Sequence, residues 1–228
     1  MSKSDAQGGT AERLLDAAEK LFGQYGYNGV GMRALALQAK VNLAAATYHF
    51  GSKKALYVET FLRRFRDVNA ERSRRLSEAQ DRAGGSPLEV ETIVECLMRP
   101  PFEMGLAHPA FSELLARTMV EPPPFLQAAL RRELDANSGV FMGALQQALP
   151  ELPAPLLHLR LALSMGPLLM LTVQLGKAPE ARAPARDEAV LKEVVRFASS
   201  GLASPPASHA DAKLLLPLMG KASARSRR

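Results

Sequence analysis

Apolar positions recur along this chain every three or four residues and almost never every second one, which is the spacing of helices that bury one face. Leu14, Leu15, Ala18, Leu21, Phe22 and Tyr25 form the first such stripe, opened by Thr10 as an N-cap and broken at Gly26 and Gly29. A short second helix is expected from about Met32 to Ala39, with Leu35 and Ala36 inward, followed by a tight break at Lys40-Val41-Asn42. Asn42 can cap a third helix, from Leu43 to about His49, which ends at Phe50-Gly51. Ser52 then caps a long fourth helix carrying Leu56, Phe61, Leu62, Phe65 and Val68.

Glycine and proline punctuate the rest. The chain turns at Arg82-Ala83-Gly84-Gly85, and Ser86-Pro87-Leu88-Glu89 has the form of a capping box with proline in the first helical position. A fifth helix is therefore expected to run to Met98 and to stop at Pro100-Pro101. Later prolines separate helical segments near 110–119, 124–148, 155–175 and 187–200, with Pro167 expected to kink the third of these. After Gly201 the composition turns to Ala, Ser and Pro, so 204–228 reads as a mostly loose basic tail in which only Leu214 to Met219 could dock. Strand signals are scarce and the fold class is all-α.

Composition narrows the class further. At 228 residues, 47% hydrophobic and 23% charged, the chain is a folded protein of one domain or of a small domain fused to a larger one. Cys96 is the only cysteine, which excludes an intramolecular disulfide framework and any zinc site built on several thiolates of one chain. No secretory leader is seen, so a cytoplasmic location is expected. The nearly uncharged run Leu161 to Leu175 falls short of the roughly 20 residues that span a bilayer. It reads as a buried helix. The net charge of +6 is unevenly placed: residues 1–80 hold 13 Lys and Arg against 8 Asp and Glu, residues 81–210 hold 11 against 14, and residues 211–228 hold 5 against 1. A positive first third on a mildly acidic body points to a polyanion-binding head on a domain with another role.

Two short helices joined by a tight turn, with Ala39 and Val41 at the turn, have the geometry of a helix-turn-helix whose second helix is sized for the major groove. Helix one with Phe22 and Gly26, Met32-Arg33, Val41-Asn42, and Tyr48-His49-Phe50-Gly51-Ser52-Lys53 leading to Leu56 together resemble the TetR family of one-component transcriptional regulators over about residues 10–60. One departure is Thr47, where many members carry tyrosine. The string Asn42-Leu43-Ala44-Ala45 with Tyr48 to Leu56 looks most like a branch containing regulators of fatty-acid metabolism, which hints at an acyl-type effector. The resemblance implies a flexible arm over 1–9, a DNA-binding domain over 10–60, a helical effector-binding and dimerisation domain over 61–203, and the tail beyond.

The residues agree with this reading on their own chemistry. Leu43, Ala44, Ala45 and Ala46 give the third helix a slim apolar face that can meet thymine methyls, while Asn42 and Thr47 can hydrogen-bond bases or phosphates. Tyr48 and His49 offer polar tips, Arg33 can clamp a phosphate or reach a guanine, and Lys53 with the free N–H groups opening helix four makes an anion site. Competing structural roles are a core plug for Phe50, packing of the Tyr48 ring under helix four, a helix cap for His49, and a solvated face for Lys54, Arg63, Arg64 and Arg66.

In the body, segment 155–175 is apolar around most of its circumference and must be buried twice. Paired with 187–200, it suits an intersubunit bundle through Leu161, Leu168, Leu171, Leu175, Val190, Leu191, Val194 and Phe197. Candidate effector-pocket residues are Cys96, Met98, Phe102, Met104, Phe111, Leu115, Met119, Phe125, Phe141, Met142, Met165 and Met170, a set rich in adaptable thioethers and rings whose ordinary alternative is core. The function expected is a homodimeric repressor released from palindromic double-stranded operator DNA by a small apolar effector, such as an acyl-CoA or fatty acid. The alternative is an architectural or partner-binding module with no inducer. An enzyme is not expected, since His49, His108, His158 and His209 are scattered and no HExxH, GxSxG, P-loop or paired-carboxylate arrangement occurs. No cofactor, metal or membrane partner is expected either.

Overall fold

Leu14, Ala18 and Phe22 stand four apart and are wholly buried, so the helix that carries them is anchored along one face. The computed structural model describes residues 3–120, 122–177 and 183–205, and the regular structure among them is helical throughout. In order these helices are α1 (Lys3–Tyr25), α2 (Met32–Gln38), α3 (Leu43–Phe50), α4 (Lys53–Ala83), α5 (Val90–Ala107), α6 (Pro109–Val120), α7 (Pro124–Ala148), α8 (Ala154–Lys177) and α9 (Pro184–Ala203). The chain divides into two compact units, one of residues 1–69, 103–135 and 172–179, the other of 70–102, 136–171 and 180–228.

In the first unit, α1 packs on α2, α3 and α6 around one apolar cluster that includes Leu14, Phe22, Leu35, Ala46, Leu56, Phe61, Phe111 and Leu114. A Cβ on Gly23 would lie 2.7 Å from the Ala110 carbonyl oxygen of α6, so only glycine lets α1 and α6 approach this closely. Arg117 of α6 donates from Nε to the Gly23 oxygen and from Nη2 to the Gln24 oxygen, both at 3.1 Å, and so satisfies carbonyls at the C-terminal end of α1.

Charge ties α4 to α1 more tightly than the sequence predicts. Arg63 reaches Glu12 at 2.8 Å, Asp16 at 2.9 Å and Glu19 at 2.9 Å, and Arg64 reaches Glu19 at 2.9 Å. The solvated face expected for these two arginines is instead a partly buried lattice, because α1 aligns three carboxylates opposite them. Burial alone would lower the Arg63 pKa, but the hydrogen bonds it donates to Glu12, Asp16 and Glu19 more than offset it and the group is held above its ordinary value. Arg66 pairs with Glu59 at 2.6 Å.

The second unit buries Leu76, Ile93, Val94, Met98, Phe102, Phe141, Leu145, Leu157, Leu168, Leu191, Val195 and Leu202. Arg99 of α5 forks onto Glu188 of α9, with Nη1 at 2.7 Å and Nη2 at 2.9 Å from its two carboxylate oxygens. Arg160 donates to the carbonyls of Leu202, Ser204 and Pro205, closing the end of α9. Arg72 donates from Nε to the Leu97 oxygen at 2.8 Å, and its burial pulls its pKa down to about 10.

Four expectations change. The helix α1 begins at Lys3, inside the stretch expected to be a flexible arm, and the Thr10 hydroxyl, within the helix, accepts from Arg13 Nη2 at 3.2 Å. The helix α5 begins at Val90 and not at Ser86, because the Ser86 N–H is spent on the Ala83 oxygen in the turn made by Gly84 and Gly85. It also runs through Pro100 and Pro101 to Ala107. Each proline removes one donor, but Met98, Phe102 and Leu106 stay buried at four-residue spacing across them, so the helical face outweighs the loss. Finally, the helix around the run Leu161 to Leu175 is longer than expected: Ala154–Gly176 is long and apolar enough to cross a membrane by length and composition, and within the chain Leu156, Leu157, Leu168, Thr172 and Val173 are buried while Leu163 and Met170 are exposed. Residues 206–228, with Leu214 to Met219, lie outside the described residues.

Removing one partner of the covered lattice should cost far more than removing an exposed one. Glu19→Ala takes the carboxylate from Arg64, at 14% side-chain exposure, and leaves Arg63 only its more exposed partners Glu12 and Asp16, so it should destabilise by roughly 3 kcal/mol. Glu59→Ala, in the more exposed pair with Arg66, should cost less than about 1 kcal/mol. Urea midpoints at one fixed protomer concentration compare them, and equal losses would show that the α1–α4 lattice contributes nothing special.

Candidate nucleic-acid interface

The turn between α2 and α3 is closed by its own backbone. The Val41 N–H donates to the Ala36 oxygen at 2.9 Å and the Lys40 N–H to the Leu37 oxygen at 3.1 Å. This places Lys40 at φ 54°, a left-handed position that usually holds glycine and costs another residue about 1 kcal/mol or more. The cost leaves an exposed cation in the turn. Asn42 then caps α3, its side-chain oxygen accepting from the Ala45 N–H at 2.6 Å.

Rotation of α3 is set by Ala46, which is wholly buried. With that residue inward, Leu43, Ala44, Thr47 and Tyr48 are exposed and Ala45 is partly covered. Gly51, at φ 69°, ends the helix with its N–H on the Thr47 oxygen at 2.7 Å, and Ser52 Oγ accepts from the Ala55 N–H at 3.1 Å to start α4. The result is a rigid helix of eight residues, slim on its outer face and short enough to lie in a groove about 12 Å wide.

Of the expected contact residues, Arg33 and Asn42 are also exposed, whereas His49 is partly covered. Tyr48 is 77% exposed, so its ring is not packed under α4, and it meets the His49 ring edge-on at 5.6 Å. Phe50 packs against the core cluster. Lys53 also acts as a fastener between segments. Its Nζ donates to the Tyr27 oxygen at 3.0 Å and sits 4.2 Å over the Tyr27 ring, tying the loop after α1 to the first residue of α4. Of the N–H groups expected to complete an anion site there, that of Ala55 is taken by Ser52. Lys40 and the 80% exposed Leu37 of α2 were not among the expected contacts. Their signals lie in the sequence as a cation in the turn and an apolar residue off the Leu35-Ala36 face.

The pocket candidates divide between the units. Phe111 in the first is wholly buried, 5.7 Å from the Phe61 ring and 6.3 Å from that of Phe65, with Met104, Leu115 and Phe125 partly buried on the same cluster. In the second, Cys96, Met98, Phe102, Phe141 and Met142 are buried, Met165 is partly covered and Met170 is exposed. Burial, followed by the charge of Glu95, pushes the Cys96 thiol above its ordinary pKa. The side chain of Met119 lies outside the described residues. Of the interface candidates, Leu168, Leu191 and Val194 are buried within their own chain and Leu161, Leu171, Leu175 and Val190 are partly covered. The apolar side chains left most open on α8 and α9 are Leu163, Met170 and Phe197, at 67%, 57% and 70% exposure. Rotation of both helices places Leu168, Leu191 and Val194 in the protomer's own core.

Comparison with known proteins bears on the same two regions. Residues 14–60 match the profile described as "Bacterial regulatory proteins, tetR family", and residues 95–201 match "Tetracyclin repressor-like, C-terminal domain". The chain is 49% identical over 47 residues to the HTH-type transcriptional dual regulator CecR of Shigella flexneri, a match covering 21% of each protein. The fold is similar to that of the fatty acid degradation regulator FadR of Bacillus halodurans, with a TM-score of 0.62 at 14% identity over 86% of this chain and 97% of that one. It is also similar to a tetR-family transcriptional regulator of Streptomyces coelicolor, with a TM-score of 0.60 at 16% identity over 96% and 90%. At these identities the two structures speak for the fold alone.

The double use of Asn42 can be separated by substitution. Asn42→Asp keeps the capping oxygen and should leave stability within about 0.5 kcal/mol, whereas Asn42→Ala should cost about 1 kcal/mol. The aspartate brings a negative charge to the exposed face and should weaken DNA binding severely. Thermal melts and fluorescence anisotropy on labelled duplex read the two effects, and undiminished DNA binding by the aspartate variant would remove Asn42 from the interface.

Proposed function

This chain belongs to the TetR family of transcriptional regulators, and from that premise we propose a cytoplasmic homodimeric repressor that leaves a palindromic operator when a small apolar effector enters its helical body. The observation that carries the reading is the outward face of α3, where Ala46 alone is wholly buried while Leu43, Ala44, Thr47 and Tyr48 stand open. Thr47 is the base reader, Arg33, Lys40 and Lys53 meet phosphates, and Tyr48 and His49 flank them. The head is residues 10–60, the body 61–203, and 204–228 a basic tail. No step requires catalysis: the work is done by differences in binding free energy.

Two heads must reach successive major grooves about 34 Å apart, so a dimer is a condition of tight operator binding. The exposed apolar positions of α8 and α9 supply its surface, because an open apolar face on a long helix gains free energy by being covered. Phe197→Glu should yield a monomer that keeps weak, salt-sensitive binding to random DNA and loses operator specificity. Sedimentation with anisotropy tests this, and an unmodified protein that stays monomeric at every concentration overturns the dimer.

The effector is an acyl compound or another apolar molecule of similar size, a reading supported by the Met- and Phe-rich body and by the likeness of the head to the fatty-acid branch of the family. An effector shifts the equilibrium only by its differential affinity for the two forms. Fatty acids or acyl-CoAs should raise the melting temperature and weaken operator binding, and the operator should weaken their binding by the same factor. If fatty acids, acyl-CoAs and neutral aromatic compounds change neither quantity, the inducer-free architectural module is the better reading.

A further inference from the structure

We propose that the cleft bounded by the loop after α1 and the first turn of α7 is a binding site for a small planar aromatic carboxylate. The cleft has a volume of about 410 Å³ and is lined by Tyr25, Tyr27, Asn28, Tyr57, Arg117 and the run from Pro122 to Phe125. That volume lies in the range of small-molecule sites.

Its walls are preformed. The rings of Tyr27 and Tyr57 meet edge-on at 5.1 Å, Tyr27 and Phe125 at 4.9 Å, and Tyr57 and Phe125 at 6.0 Å. Three successive prolines fix their own φ angles, so that side of the cleft loses little freedom when a guest arrives. Such a frame favours a flat aromatic guest over a flexible aliphatic one, since rings gain from offset and edge-to-face contact beyond their buried area.

The charge on its lining has one sign among the described residues. Lys53 lies 4.2 Å over the Tyr27 ring, Lys54 lies 5.3 Å over the Phe125 ring, and Arg117 lines the cleft, while no Asp or Glu does among the described residues. Arg117 spends Nε and Nη2 on the carbonyls of Gly23 and Gln24, and its Nη1 has no hydrogen-bond partner among the described residues. The Tyr57 hydroxyl is already paired with Thr118 at 2.8 Å. A carboxylate in the cleft therefore has the Arg117 guanidinium as its cation, with Tyr25 and Asn28 on the same lining.

The site is separate from the body's apolar pocket set, with which it shares only Phe125, and it touches the head directly. Tyr27 is the residue whose carbonyl holds Lys53 at the start of α4. A guest between Tyr27 and Arg117 bears on the loop that precedes α2.

The chain has no tryptophan, and Tyr25 is 56% exposed at the cleft, so Tyr25→Trp installs a single reporter without disturbing the core. The probe is 4-nitrobenzoate, whose quenching of that tryptophan is corrected against free tryptophanamide. Saturable quenching is expected, at least tenfold tighter than with neutral 4-nitrobenzamide, competed poorly by cyclohexanecarboxylate, and weakened at least tenfold by Arg117→Lys. Phe125→Leu, which keeps apolar volume and loses the ring, should weaken it severalfold and serves where Arg117→Lys fails to fold. Quenching that never saturates, equal binding of the amide and the acid, or indifference to Phe125→Leu would each overturn the site. Because Tyr25 and Arg117 lie outside the apolar pocket set, failure of saturable quenching or of acid-over-amide preference leaves the acyl-effector reading standing, and the converse also holds.

Discussion

A helix of eight residues does not hold itself together in water, because nucleation costs more than so few hydrogen bonds return. The outward face of α3 therefore exists only because other parts of the chain impose it. Asn42 supplies the N-terminal acceptor, Gly51 takes the left-handed exit, and Ala46 is driven into the cluster of Leu14, Phe22, Leu35 and Leu56. Weakening any one of these loosens the face that the exposed residues share, whatever their individual chemistry. The geometry that would read DNA is thus a consequence of burial on the opposite side of the helix.

What holds that cluster in turn is a division of labour between apolar burial and charge. Phe22, Phe61 and Phe111 are buried completely, and each contributes about 2 to 3 kcal/mol by leaving water. Exposed ion pairs such as Arg66–Glu59 contribute little beside this. The lattice of Arg63 and Arg64 on Glu12, Asp16 and Glu19 differs because Glu19 is itself covered, so the register of α4 against α1 is specified by partners that are costly to separate. Hydrophobic burial supplies the stability, and the covered charges select which rotation of α4 delivers it.

The sequence was most legible where one residue type answers one local demand. Asn42 and Ser52 as caps, Gly51 as an exit, Phe50 as a core residue and the inward pair Leu35-Ala36 all stand where their chemistry predicts. It was least legible where the partner is distant in the chain. Nothing local tells Arg63 that three carboxylates of α1 will face it, or tells Lys53 that its nearest acceptor is the carbonyl of Tyr27, 26 residues earlier. Rotation of α8, a helix apolar almost all round, is likewise invisible to periodicity, so nothing in its pattern separates the buried Leu168 from the exposed Leu163 and Met170. Pro100 and Pro101 show the same limit from the other side, since the buried face of α5 overrode the strongest local stop signal in the sequence.

The C-terminal end of α1 is where these threads meet. Its last carbonyls are held by Arg117 of α6, and the loop that follows gives the Tyr27 oxygen to Lys53, the first residue of α4 and the second after α3 exits through Gly51. These are charge-assisted bonds near 3 Å, a type whose strength falls steeply with small displacement or misalignment. The loop after α1 is therefore in contact with both α6 and α4 through side chains that must move with it if these bonds are to be kept. A change at α6 that kept Arg117 on Gly23 and Gln24 would have to carry the end of α1 with it, and Lys53 would then carry the strain to the joint behind α3. Two hydrogen-bonded cations thus join segments far apart in sequence at one short loop, and the position of the reading helix is sensitive to that loop even though α3 contributes no atom to it.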